Sequence, residues 1–233
     1  MKSLFVLVLS AILLLSCKKD IEGCTDPSAL NYNQNVTIDD GSCDLRTLIP
    51  DQNFEQYLID EGYDDVMDGK VLNSNINNIW QLVIGNKSIQ DLSGIENFSA
   101  LEELFCHNNQ LTNLDLSCNS SLKILHCYNN QLVNINLNEN NSLRILECYG
   151  NQLTSLDLKD HDALEILRCQ NNQLTCLNVK NGNNQIITFF KANYNPGLSC
   201  IEVDDPAYST TNWSYVDAGL TYSVDCNYSN GCF

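Results

Sequence analysis

Thiols and imidazoles are the side chains here that could carry nucleophilic, redox or metal chemistry, and the chain has twelve cysteines and three histidines in 233 residues. Four of the cysteines, Cys106, Cys127, Cys148 and Cys169, are 21 residues apart. Each is the sixth residue of one repeated pattern: LEELFCHNNQLTNLDLSCNSS (101–121), LKILHCYNNQLVNINLNENNS (122–142), LRILECYGNQLTSLDLKDHDA (143–163) and LEILRCQNNQLTCLNVKNGNN (164–184). A reactive or metal-bound cysteine needs partners peculiar to its own site. One that returns at a fixed place in a repeat is better explained as a small buried apolar residue. His107, His126 and His161 fall at different repeat positions, so periodicity builds no base with an orienting partner. CxxC, HExxH, GxSxG and glycine-rich phosphate loops are absent. The segment DDVMDGKV (64–71) approaches an EF-hand loop through Asp64, Asp68 and Gly69, but Val66 stands at a ligand position and no glutamate closes the loop. The expectation is a protein without catalysis.

The elements that must position these residues follow from the pattern LxxLxCxxNQLxxLDL. Apolar residues fall at positions 1, 4, 6, 11, 14 and 16; positions 4 and 6 alternate with polar neighbours, as in a short half-buried strand, and Asn-Gln marks the turn after it. A single copy buries too little to offset the ordering of its backbone, so copies must stack and share both ladder hydrogen bonds and core. Positions 3, 5 and 7 then point outward. They form three columns: Glu103, Ile124, Ile145, Ile166; Phe105, His126, Glu147, Arg168; and His107, Tyr128, Tyr149, Gln170. Turns stacked at about 4.8 Å make these columns one surface. Phe105, His107, Ile124, His126, Tyr128, Ile145 and Tyr149 are the candidate ligand-binding residues. The opposite side offers Asp115, Asn136, Asp157 and Asn178, a polar surface.

The pattern resembles the leucine-rich repeat, LxxLxLxxNxL, with cysteine in the third leucine place. That resemblance implies a solenoid of parallel strands, and it implies a structural asparagine ladder at Asn109, Asn130, Asn151 and Asn172. The echo of the first half in LTNLDLSCN is the mark of a short nested bacterial type. Residues 79–100 fit as a 22-residue turn similar to the internalin type, with Lys87 in the asparagine place, and 187–203 fit after an insertion of two residues. About six turns over 79–203 result. A helix beginning at Pro50-Asp51, burying Phe54, Leu58 and Ile59 and stopping at Gly62, is expected to cap the N-terminal end within 44–78. Residues 204–233, with Tyr208, Trp213, Tyr215 and Tyr222 but no leucine period, are expected to cap the other. By resemblance to related bacterial repeat proteins, Cys200 and Cys226 would form a flank-capping disulfide; Cys176 and Cys200 share a repeat position and compete with that pairing. Cys118 and Cys232 have no assigned partner.

Residues 1–16 look like an export signal, one lysine followed by an apolar run too short to span a bilayer. The ending LLSC resembles the bacterial lipobox, which implies acylation of Cys17 and a lipid anchor at an outer membrane or cell surface, with 17–22 as a tether. Residues 23–43, GCTDPSALNYNQNVTIDDGSC, resemble a short module of secreted Bacteroidetes proteins. A bridge between Cys24 and Cys43 would contribute roughly 3 kcal/mol. Asp26, Asp39 and Asp40 could ligate Ca²⁺ there, or serve as turn formers; no other cofactor is expected. The formal charge of -17 repels phosphate backbones and argues against nucleic acid. The expected function is binding of a protein partner on the outward strand face, as an adhesin or interaction module; the alternatives are capturing a glycan by stacking on exposed aromatics or acting as a passive envelope spacer.

Overall fold

The computed structural model describes residues 20–27, 29–228 and 232, so the leader and Cys17 lie outside the described residues. The described chain divides between Leu45 and Arg46 into two units.

The smaller unit holds one short parallel pairing, Glu22–Gly23 with Ile38–Asp39, and a disulfide between Cys24 and Cys43. Few apolar side chains are buried in it, so the bridge and polar turns must order it. Asp39 Oδ1 accepts from the Gly41 amide at 3.0 Å and Asp40 Oδ1 from the Ser42 amide at 2.9 Å. These are turn bonds; the Ser42 hydroxyl, and after it the Ser42 amide, hold the Asp40 carboxyl below its usual range. Among the described residues no three His, Cys, Asp or Glu side chains gather in one place, and Asp39 and Asp40 are engaged in turns.

The larger unit is a solenoid. Its front sheet has six parallel strands, Gln81–Val83, Glu103–Phe105, Ile124–His126, Ile145–Glu147, Ile166–Arg168 and Phe189–Lys191, each hydrogen-bonded to the same position of the next turn. Leu104, Leu125, Leu146 and Leu167 are fully buried at position 4, and Cys106, Cys127, Cys148 and Cys169 at position 6. These cysteines are free thiols. Burial pushes Cys106 and Cys148 up to about 12, and Cys127 and Cys169 well above the usual thiol range. A thiol held protonated is neither nucleophile nor metal ligand.

The turn after each strand explains the Asn-Asn and Gly-Asn pairs. Position 8 is left-handed in every full copy, with φ of 54° at Asn108 and Asn129, 67° at Gly150 and 56° at Asn171; asparagine and glycine tolerate that region best. Position 9 turns inward and carries the amide ladder. In Asn130, Nδ2 donates to the Cys106 and Cys127 carbonyls, both at 3.0 Å, while Oδ1 accepts from the Leu111 amide at 3.0 Å. Asn109, Asn151 and Asn172 repeat the arrangement, and Asn195 extends it. Each side chain thus satisfies backbone groups that would otherwise be orphaned in the core.

Both ends differ from the repeats. The first helix, Gln52–Asp60, is capped by Asp51, whose Oδ1 accepts from the Asn53 and Phe54 amides. The other oxygen of Asp51 accepts from Gln90 and Asp91 of the first turn, so one carboxylate ties cap to solenoid. Phe54, Tyr57 and Leu58 face the core; Ile59 is only half-buried, and Tyr57 takes its place. Glu55, also buried, accepts from the Asp68 and Gly69 amides, so the EF-hand-like loop is folded around a protein carboxylate.

At the other end, the residues expected only to cap the array continue it. Thr221–Ser223 pairs in parallel with Cys200–Glu202, and Tyr215 bridges to Lys191, so the solenoid runs to about seven turns rather than six. Aromatics replace leucine here: Trp213 is 3% exposed and stacks on Phe190 at 4.2 Å. The chain then folds back over the rear strands. Cys226 bonds to Cys200, Tyr228 hydroxyl reaches Leu177 and Cys200 backbone, and Cys232, for which the sequence offered no partner, bonds to Cys176. This cover buries Asn178, an outward position by periodicity.

Candidate functional site

The front sheet brings all seven candidate residues onto one surface. Parallel pairing in register sets Phe105 beside His126 and Ile124 beside Ile145, with Glu103 and Ile166 at the ends of the isoleucine column. His107, Tyr128 and Tyr149 follow at position 7. None is fully exposed; all are half-buried, because each is covered by its neighbour one turn away.

The position 7 column is a closed stack. His107 lies 4.6 Å from Tyr128 with 13° between the rings, and Tyr128 lies 4.5 Å from Tyr149 at 5°. Gly85 closes one end: a Cβ there would stand 2.6 Å from His107 Nε2, so only glycine lets the backbone approach the ring. The Arg168 guanidinium closes the other, 4.8 Å from the Tyr149 ring. Every ring face in the column is therefore occupied, and its edges point outward. The sequence expectation of freely exposed aromatics is corrected accordingly, since the stack also contributes about 0.5–1.5 kcal/mol per pair to folding. Phe105 and His126 meet edge to face at 4.9 Å. Burial lowers the His126 pKa, with Glu147 opposing, so the imidazole is neutral near pH 7.

Three ion pairs cross this side from turn to turn. Lys123 pairs with Glu102 at 2.8 Å, Arg144 with Glu165 at 2.8 Å, and Arg168 with Glu147 at 3.0 Å. Over the six strands and the residue preceding each, the positive groups are Lys123, Arg144, Arg168 and Lys191 and the negative groups Glu102, Glu103, Glu147 and Glu165, which sum to zero in a chain of -17. The rear carries Asp115 and Asp157, whose carboxylates accept from the Ser117 and Lys159 amides and serve turns. A cavity of about 420 Å³ near the N-terminal helix is lined by Arg46, Tyr63, Asp64, Asp68 and Lys70, and Arg46 is paired with Asp68 at 3.1 Å.

Phe189, Lys191 and Tyr215 extend the front surface and were not among the candidates. Placing Phe190 and Ala192 inward already implies Phe189 and Lys191 outward; Tyr215 had no such signal, because its turn lacks the leucine period.

The functional domain of InlJ from Listeria monocytogenes, a structure described as including a cysteine ladder, matches with a TM-score of 0.58 and 27% identity over 68% of this chain and 38% of that one. The fold is that of the leucine-rich repeat proteins. The chain spans less than half of that structure's length. Two internalins of the same organism show weaker likeness: internalin C2, with TM-score 0.35, 17% identity and coverage of 76% and 95% of the two chains, and InlF, with 0.37, 15%, 75% and 68%. No protein-family model and no curated protein matches the chain.

Proposed function

We propose that this is a non-catalytic, lipid-anchored protein of the cell envelope, held by an acylated Cys17 at an outer membrane or cell surface, which binds a protein partner on its front sheet. The observation that carries the binding surface is the charge-balanced, half-apolar front in a chain of -17. Interface cores are depleted of uncompensated charge and enriched in aromatics, and a soluble surface seldom keeps such a patch idle. Across the central strands the ring geometry favours protein over glycan, because a sugar stacks on an exposed aromatic face and the faces of His107, Tyr128 and Tyr149 are covered, whereas Phe189 and Tyr215 at the last strand keep open rings. The envelope setting rests on the LLSC leader ending and on disulfides, which persist in oxidising compartments.

A photo-reactive residue at Ile145 of the full chain, compared with one at Asn136 on the rear, tests the reading in intact cells. A discrete protein adduct from position 145 and none from 136 is expected; adducts from 136 alone would place the partner elsewhere. Cys17→Ser should move the protein from the membrane fraction to the soluble one, and unchanged fractionation would refute the anchor.

A further inference from the structure

The last strand of the front sheet ends in a corner unlike the rest. Lys191 Nζ stands 4.7 Å from the Tyr215 ring and 5.2 Å from the Phe189 ring. Both rings stay open to solvent, Tyr215 at 54% and Phe189 at 37% exposure. Every other cation of these strands has a carboxylate within 3.0 Å, whereas Lys191 makes no ion pair among the described residues. The Arg168 guanidinium also lies 5.8 Å from the Phe189 ring, and its Nε is buried without a hydrogen-bond partner. A buried donor without an acceptor is uncommon, and an ammonium held between two rings has already lost part of its hydration.

We propose that this corner receives a carboxylate: an Asp or Glu side chain of the protein partner, set against Lys191, with apolar neighbours in the partner's sequence lying on Phe189 and Tyr215. The inference rests on the front sheet being the binding surface and names the chemistry of what binds there. The negative charge of the whole chain does not oppose it at contact, because charges more than about 8 Å away are largely screened at physiological salt. The nearby Glu147 is neutralised by Arg168. Aromatic rings flanking a cation are also the residue types in which interface energy concentrates.

The test uses the full chain and an immobilised array of apolar-aromatic dodecapeptides, each carrying one Glu, alongside the same peptides with Gln or Lys in its place. Glu peptides should bind about threefold to fivefold better than Gln peptides, the range of an exposed ion pair. Lys191→Gln should erase that preference, and Lys159→Gln, which removes the same charge from the rear, should retain it. Glu preference that survives Lys191→Gln, or no Glu preference at all, overturns the inference. If peptides bind equally but Tyr149→Ala weakens them all, the front sheet stands and only the carboxylate assignment falls. If no peptide binds, both fall. Polygalacturonate bound through Lys191 while peptides are ignored would overturn the partner class.

Discussion

At the level of single residues, the repeat cysteines are packing groups and the repeat asparagines hydrogen-bonding groups. Cys106, Cys127, Cys148 and Cys169 should not react with iodoacetamide at pH 8 in the folded protein, whereas the exposed Cys118 should; peptide mass mapping reads this directly. Asn130→Ala removes three buried hydrogen bonds and orphans the Leu111 amide, while the Cys106 and Cys127 carbonyls keep the bonds from Asn109 and Asn151, and it should cost about 2 kcal/mol in denaturant unfolding. His161 marks a second ladder that the sequence did not reveal. Asn119 and Asn140 each donate to two carbonyls of the preceding turn, and His161 occupies the next place, 3% exposed, with the Leu137 backbone beside its ring but no hydrogen bond of good geometry at either nitrogen. Burial lowers its pKa, so the native state binds fewer protons than the unfolded chain. The stability this contributes is complete above the unfolded value of 6.5 and is lost as pH falls below it. Burial lowers the pKa of His126 too, which adds in the same direction. His161→Asn should therefore raise stability by about 1–2 kcal/mol and flatten the melting curve's dependence on pH below the unfolded value of 6.5; an unchanged pH slope would contradict the burial argument.

At the level of elements, strands with strict periodicity were legible and those without it were not. Four copies with Leu, Leu and Cys at positions 1, 4 and 6 placed four front strands and the outward columns in register. Helix capping was legible too, because Pro50 and Asp51 are local signals. The seventh turn was hidden because Trp213 and Tyr222 do the work of leucines at irregular spacing, with Tyr222 hydroxyl bonded to the Trp213 carbonyl at 2.8 Å. The half-burial of the candidate residues was hidden as well, since outward periodicity says nothing of whether a ring lies on the ring one turn away. Trp213→Ala should open a cavity against Phe190 and destabilise the C-terminal end by about 3–5 kcal/mol. Hydrogen exchange should show the loss concentrated in 189–223, and a uniform loss over all turns would contradict a local cap.

For the molecule as a whole, the distribution of charge matters more than its sum. Twenty-nine acidic residues against twelve basic ones give -17, yet the front strands sum to zero, with three pairs bridging successive turns and Glu103 offset in number by Lys191, which makes no ion pair among the described residues. Repulsion from the remaining surface keeps the protein soluble and discourages association through any other side. The most direct measurement is the affinity of the partner cross-linked through Ile145 for the Tyr128→Ala, Tyr149→Ala double variant, taken together with its melting curve. The account predicts a loss of about 2 kcal/mol or more in binding, with a cooperative melt lowered by no more than the stacking those rings supply. Unchanged affinity in a natively folded double variant would contradict it.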